Sequence, residues 1–182
     1  MANKLLLICG SLRRASTNRA LLAEAARMAS EHAEFEPVWA DLRLPLYDGD
    51  LEEAEGLPPS VLALGDQIRE AAAIVISTPE YNKAPPGVLK NALDWASRID
   101  RQLWAGKPVA ILSATAGRAG GERAQNHLRL YLTPFWAHVL PGPEVLVAES
   151  HRAFNGDGRL TNERSARDLD ALMKALAALT TR

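Results

Sequence analysis

The feature that most constrains this chain is a set of short, wholly apolar runs separated by segments of helical period. Leu5-Leu6-Leu7-Ile8-Cys9, Ala73-Ile74-Val75-Ile76-Ser77 and Pro108-Val109-Ala110-Ile111-Leu112-Ser113 are apolar at nearly every position. A strand with that pattern buries both of its faces, as in a parallel sheet covered by helices on both sides. Between these runs, Leu21, Ala25, Met28 and His32 recur three or four apart, as do Val61, Leu64, Ile68 and Ala71. Both sets predict helices, the second started by Pro58-Pro59-Ser60. Pro108 stands first in its run, where a strand tolerates proline. Residues 35–41 predict a weaker strand, 88–99 a helix, 124–132 a helix running some way past Pro134, and 144–148 a fifth strand. Leu169, Leu172, Met173, Leu176 and Leu179 share one face of a final helix. Residues 44–50 read as a loop and 149–160 as a polar surface excursion. Five strands alternating with five helices give an α/β protein with an open parallel sheet, and right-handed crossovers leave few topologies. The 182 residues show no repeat or linker, so one domain over 1–182 is expected.

Composition narrows the function by exclusion. A formal net charge of −1 gives no reason to expect nucleic acid or an anionic membrane surface as partner. The one cysteine, Cys9, has no internal disulfide partner, which suits a reducing cytoplasm. The start of the chain lacks the layout of a signal peptide, and no segment approaches the roughly 20 apolar residues of a membrane helix. His32, His127, His138 and His151 have no metal-ligand spacing. Cys9, at a strand end, reads as a small core residue, and Lys90 with Asp94 as an exposed pair on a helix. Trp95, Trp104 and Trp136 read as core or subunit contacts, with Trp104, in the stretch 101–106, the best candidate for a subunit contact.

Ligands of such sheets bind beyond the carboxyl ends of the strands, near the reversal of strand order. Three loops there are unusual. The first, Gly10-Ser11-Leu12-Arg13-Arg14-Ala15-Ser16-Thr17-Asn18, puts hydroxyls and arginines before a helix N-terminus, a place that favours an anion. It lacks both the Walker lysine and the glycines of a dinucleotide fingerprint. It also lacks the frame of a nucleophile elbow. Ser11, Ser16, Thr17 and Arg13 can bind a phosphate; the alternative is that Ser16 or Thr17 only caps the helix. The second loop, Pro79-Glu80-Tyr81-Asn82-Lys83-Ala84-Pro85-Pro86, is stiffened by proline and offers a flat ring and an amide. The third, Ser113-Ala114-Thr115-Ala116-Gly117-Arg118-Ala119-Gly120-Gly121, lets backbone approach a ligand closely. Together they describe a ligand with a phosphate at one end and a planar heteroaromatic ring at the other.

These loops carry a recognisable pattern. Gly10-Ser11-Leu12-Arg13 with Ser16 and Asn18, Leu44-Pro45-Leu46-Tyr47-Asp48 with Asp50, Pro79-Glu80-Tyr81-Asn82 with Pro86-Gly87 and Leu89 to Trp95, and Gly120-Gly121 with Arg123 resemble the NAD(P)H-dependent FMN reductase family. Within it, the bacterial quinone, chromate and azo reductases are the most similar. The match runs from residue 4 to about 130 and loosens beyond 140. The resemblance implies a flavodoxin-like three-layer sandwich, a five-stranded parallel sheet of order 2-1-3-4-5, and assembly as a homodimer or homotetramer. It places the phosphate of FMN on Ser11, Arg13, Ser16, Thr17 and Asn18. It places the ring edge on Pro79, Glu80, Tyr81, Asn82 and Lys83, and the third-loop contacts near Ser113, Thr115 and Gly117. It implies hydride passing from NADPH or NADH through bound FMN to quinones, azo dyes, chromate or free flavin. One stacking site would serve donor and acceptor in turn, and no side chain would act as obligatory acid or base. Two rivals stand beside this reading. One is a flavodoxin-like electron carrier, which the near-neutral charge disfavours; the other is a cofactor-free interaction protein.

Overall fold

The computed structural model describes residues 3–100 and 102–180. Met1, Ala2, Arg101, Thr181 and Arg182, which the expected one-domain span includes, lie outside the described residues, and Arg101 is part of the 101–106 stretch. The chain runs β1 (Asn3–Cys9), α1 (Thr17–Ala29), β2 (Phe35–Trp39), α2 (Gly49–Glu55), α3 (Pro59–Glu70) and β3 (Ala73–Thr78). It continues through α4 (Gly87–Ile99), β4 (Pro108–Ala114), α5 (Glu122–Leu132), β5 (His138–Val139), β6 (Val145–Val147) and α6 (Glu163–Ala178). The strands pair in parallel in the order β2-β1-β3-β4-β5, with β6 also on β4. This is the flavodoxin-like order expected from the sequence, with its reversal between β1 and β3.

The strands β3 and β4 are buried nearly throughout, as their uniform apolarity requires. Alternate residues of each strand feed two cores. Leu5, Leu7, Val75, Ala110 and Leu112 pack against α1 and α6. Leu6, Ile8, Ile74, Ile76 and Ile111 pack under α3, α4 and α5. Helices on both faces thus enclose the sheet and leave its carboxyl edge to the loops.

Three departures from expectation have local causes. The fifth strand position is shared by two short strands. β5 pairs with Pro108 and Val109, and β6 pairs with Leu112 to Ala114. Pro141 and Pro143, in the segment between β5 and β6, have no N–H to give the ladder, so pairing breaks there. α5 ends at Leu132, followed by a 3-10 turn over Thr133–Phe135, because Pro134 cannot donate to the carbonyl four residues back. Residues 49–55, expected to begin as loop, form α2, capped by Asp48, whose side chain accepts from Asp50 N.

Trp104 is 1% exposed, with its ring 5.9 Å from that of Phe135. It belongs to the core and not to a subunit contact, which corrects the sequence expectation. Trp95 is also buried, and its Nε1 donates to Pro45 O over 2.8 Å. Asn91 donates to the same carbonyl and accepts from Tyr47 N. The Pro45–Asp48 stretch is therefore held on α4 by side chains of the motif that follows the second loop. No described helix is long and apolar enough to cross a membrane.

Candidate cofactor site

β1, β3 and β4 deliver their following loops to one edge, where a cleft of about 760 Å³ opens. Its first wall is the loop after β1. Ser16 caps α1, its Oγ accepting from Asn18 N over 3.2 Å, and Thr17 is the first helical residue. The first turn of α1 contains no acidic residue. Its N-terminal partial positive charge is therefore left uncompensated by the chain itself. Arg13, Arg14 and Arg19 flank it in the chain, and none forms an ion pair among the described residues. Ser11, Arg13, Ser16 and Thr17 all line the cleft. Cys9 lies beneath them; burial pushes its thiol up, partly offset by Ser11 and Ser16.

Asn18 borders the cleft, but its side chain turns inward. Its Nδ2 donates to Ala114 O (2.8 Å), and its Oδ1 accepts from Ala114 N (3.0 Å) and Ser77 Oγ (2.8 Å). It ties the start of α1 to the ends of β3 and β4, so it sets where the first loop stands, and its Oδ1 is engaged by the chain itself.

The second loop forms a tight hairpin. Tyr81 N donates to Ala84 O and Ala84 N to Tyr81 O, with Asn82 and Lys83 between them at φ of +51° and +69°. Two central residues at positive φ define the type I′ turn, for which asparagine is well suited. Pro79, Glu80 and Tyr81 line the cleft; Asn82 and Lys83, expected at the ring edge, form the turn outside its lining. Glu80 Oε2 accepts from Ala124 N over 3.2 Å, in the first turn of α5. His127 Nδ1 lies 3.0 Å from Lys83 O. The loop is thus pinned to α5 at two points.

In the third loop, Thr115 and Gly117 line the cleft, while Ser113 is buried. Ser113 Oγ donates to Gly120 O (2.6 Å) and accepts from Gln125 Nε2 (2.8 Å). Ser113 therefore shapes the loop from beneath instead of facing a ligand. Gly120 and Gly121 have φ of +63° and +95°, and a Cβ on Gly121 would sit 2.7 Å from Ser113 Cβ. Only glycine fits there. Among the described residues, the amides of Ala116, Gly117 and Arg118 have no acceptor.

A fourth segment escaped the sequence reading. Ser150 and His151, just after β6, also line the cleft. Thr17 Oγ1 donates to Ser150 Oγ (3.0 Å), and Ser150 N donates to Thr115 O (2.9 Å). The turn ties the first loop to the third. The signal available was positional: it follows a strand at the same carboxyl edge.

The cleft offers an anion site of hydroxyls, guanidinium and helix N-terminus at one end. At the other it offers a flat wall, Pro79 to Tyr81, facing free backbone amides. Its volume suits a cofactor. No group of three His, Cys, Asp or Glu side chains able to hold a metal occurs among the described residues. A cleft with cationic and hydroxyl groups at one end and a flat wall at the other fits the chemistry of a flavin mononucleotide.

The fold and the cleft define a flavodoxin-like α/β protein built around an anionic cofactor at the sheet edge. The chain belongs to the NADPH-dependent FMN reductase family, whose model matches residues 3–152. It is 44% identical over 174 residues to an NAD(P)H-dependent FMN reductase of Pseudomonas aeruginosa, covering 95% of this chain and 92% of that one. It is 43% identical over 139 residues to a quinone reductase of Escherichia coli K12, covering 76% of this chain and 74% of that one. Among solved structures, the flavoenzyme NAD(P)H:(acceptor) oxidoreductase FerB of Paracoccus denitrificans superposes with a TM-score of 0.86 at 33% identity, covering 98% of this chain and 97% of that one. The protein is thus an oxidoreductase with FMN as cofactor and NAD(P)H as reductant, which decides against the electron carrier and the cofactor-free protein.

Proposed function

We propose that this enzyme passes reducing equivalents from NAD(P)H to quinones, with one site serving donor and acceptor in turn. The observation that carries the proposal is the continuous cleft from the uncompensated N-terminus of α1 to the wall Pro79–Tyr81. Relatives named quinone reductase support the acceptor class. Bound flavin supplies the acceptance and delivery of hydride. The chain's own residues bind and orient. Ser11, Arg13, Ser16 and Thr17 hold the phosphate by charge-assisted hydrogen bonds. Asn18 and Ser113 hold the loops in place, and Asn82 and Lys83 make the turn that fixes Tyr81. Pro79, Glu80 and Tyr81 border the ring, and Thr115 and Gly117 face it across the cleft. The free amides of Ala116 to Arg118 offer donors to negative charge on the ring. The molecule acts in the cytoplasm as a homo-oligomer of one flavin-binding domain; buried Cys9 and exposed Trp136 support the two halves of that statement.

The test is steady-state kinetics with NADPH and NADH against a panel of quinones, azo dyes, chromate and free FMN. Parallel double-reciprocal lines with quinones are expected. Intersecting lines, with dead-end inhibition excluded, would remove the shared site. Turnover only when free FMN is the acceptor would make the enzyme a flavin reductase proper.

A further inference from the structure

The cleft does not stop at the α1 N-terminus. A second groove of about 460 Å³ shares with it Ala15, Ser16, Thr17, Ser150 and His151. Beyond these, it runs over the exposed side of α1, bounded by Arg14, Arg19, Ala23, Trp39 and Phe154. The shared residues are those at the phosphate end of the cleft. A ligand leaving the phosphate away from the ring therefore enters this groove directly.

Three observations define what it accepts. First, its lining includes arginines and a histidine but no carboxylate. Arg14 and Arg19 remain without an ionic partner among the described residues, although Arg13 and the helix end already suffice for one phosphate. The surplus positive charge matches a second phosphate. Second, the groove offers a planar base a stacking surface. The guanidinium of Arg19 lies 4.2 Å from the Trp39 ring centroid, and Phe154 also lines the groove. Arginine over tryptophan is a platform on which bases stack. Third, the alanines Ala20 and Ala23 give the groove a floor without protruding side chains.

We propose that this groove is an adenylate subsite, holding the second phosphate and the adenine of a dinucleotide. The inference rests on the assignment of the main cleft to FMN. Two sources share that chemistry. One is FAD, whose adenylate extends directly from the flavin's terminal phosphate; the other is the adenylate half of NAD(P)H.

The probes are FMN, FAD and AMP, titrated by calorimetry into flavin-stripped full-length protein and into its Ala23→Glu and Arg14→Ala variants. Ala23 is exposed and outside the FMN cleft, so Ala23→Glu folds and keeps FMN affinity, while Arg14→Ala, beside the phosphate end, is read as the ratio of FAD to FMN affinity, which falls if the subsite exists. With FAD as the source, wild type binds FAD at least as tightly as FMN. Ala23→Glu, raising a carboxylate from the floor of the groove, then weakens FAD and AMP about tenfold and leaves FMN unchanged, the factor expected from one unfavourable charge or lost stacking contact. With NAD(P)H as the source, Ala23→Glu raises the nucleotide KM of the FMN-loaded enzyme by about the same tenfold factor and leaves the quinone KM alone. Variants that alter neither FAD affinity nor nucleotide KM overturn the subsite while the FMN cleft stands. A wild-type protein that binds no flavin overturns both.

Discussion

Asn18 shows how one residue of a ligand loop can also hold the fold together. Its amide makes three buried hydrogen bonds, to the backbone of Ala114 and to Ser77. Removing it leaves the Ala114 amide and carbonyl unpaired in the interior. Unsatisfied buried groups of this kind predict that Asn18→Ala lowers unfolding free energy by roughly 3 kcal/mol in urea titration. Arg13→Ala has the opposite profile, because the side chain is exposed and its charge faces the cleft. It weakens FMN about tenfold or more, read by fluorescence titration, with the urea midpoint unchanged. Equal urea midpoints for the two variants would contradict this division. At Cys9, burial raises the thiol pKa, so the fold holds the neutral form. The unfolded state then releases this proton first. The contribution is complete below the unfolded thiol range and is lost as pH rises through the folded pKa. Cys9→Ala should therefore flatten the decline of stability above about pH 9, the unfolded thiol range. A decline just as steep in the variant would show that other groups cause it.

At the scale of elements, each loop is fixed by the helix that follows or faces it. α4 holds Pro45 through Asn91 and Trp95. α5 holds the second loop through Ala124 and His127. α1 holds the excursion after β6, where Glu24, 5% exposed, receives Arg159 Nη1 at 2.9 Å as well as Arg27. Arg159→Ala should release that excursion, speeding amide hydrogen exchange over residues 150–160 while α1 keeps its protection. Unaltered exchange there would make the ion pair incidental. The strands and helices were legible because uniform apolar runs and three-to-four spacing are direct consequences of burial. The loops were located correctly for the same reason, as the strands end where their apolarity ends. Which loop residues meet the ligand was less legible. Asn82 and Lys83 are required by a turn, and Ser113 by the carbonyl of Gly120, yet in a linear motif they stand beside residues that line the cleft. The Ser150–His151 turn was missed because its contacts with Thr17 and Thr115 join distant parts of the chain, and no local period encodes them.

For the whole molecule, the same distinction separates the tryptophans. Trp95 and Trp104 are buried, whereas Trp136 is 68% exposed and Leu130, on the preceding α5, is 65% exposed. Trp136 is also rigidly presented. It sits at φ +55°, a conformation unfavourable for a bulky residue, and its carbonyl accepts from Gly106 N over 2.9 Å. A large aromatic held in place on the surface loses little entropy when covered and is the residue type that dominates interface energies. It lies on the α5 side of the sheet, so a second copy can cover it without obstructing the groove over α1. Trp136→Ser should therefore shift the protein toward monomer in light scattering across a dilution series. The loss of about 2 kcal/mol typical of such an anchor raises the dissociation constant roughly thirtyfold. Flavin content and melting temperature of the isolated monomer should match those of the wild-type chain at equal dilution. An unchanged mass at every concentration would show that Trp136 anchors no contact between copies.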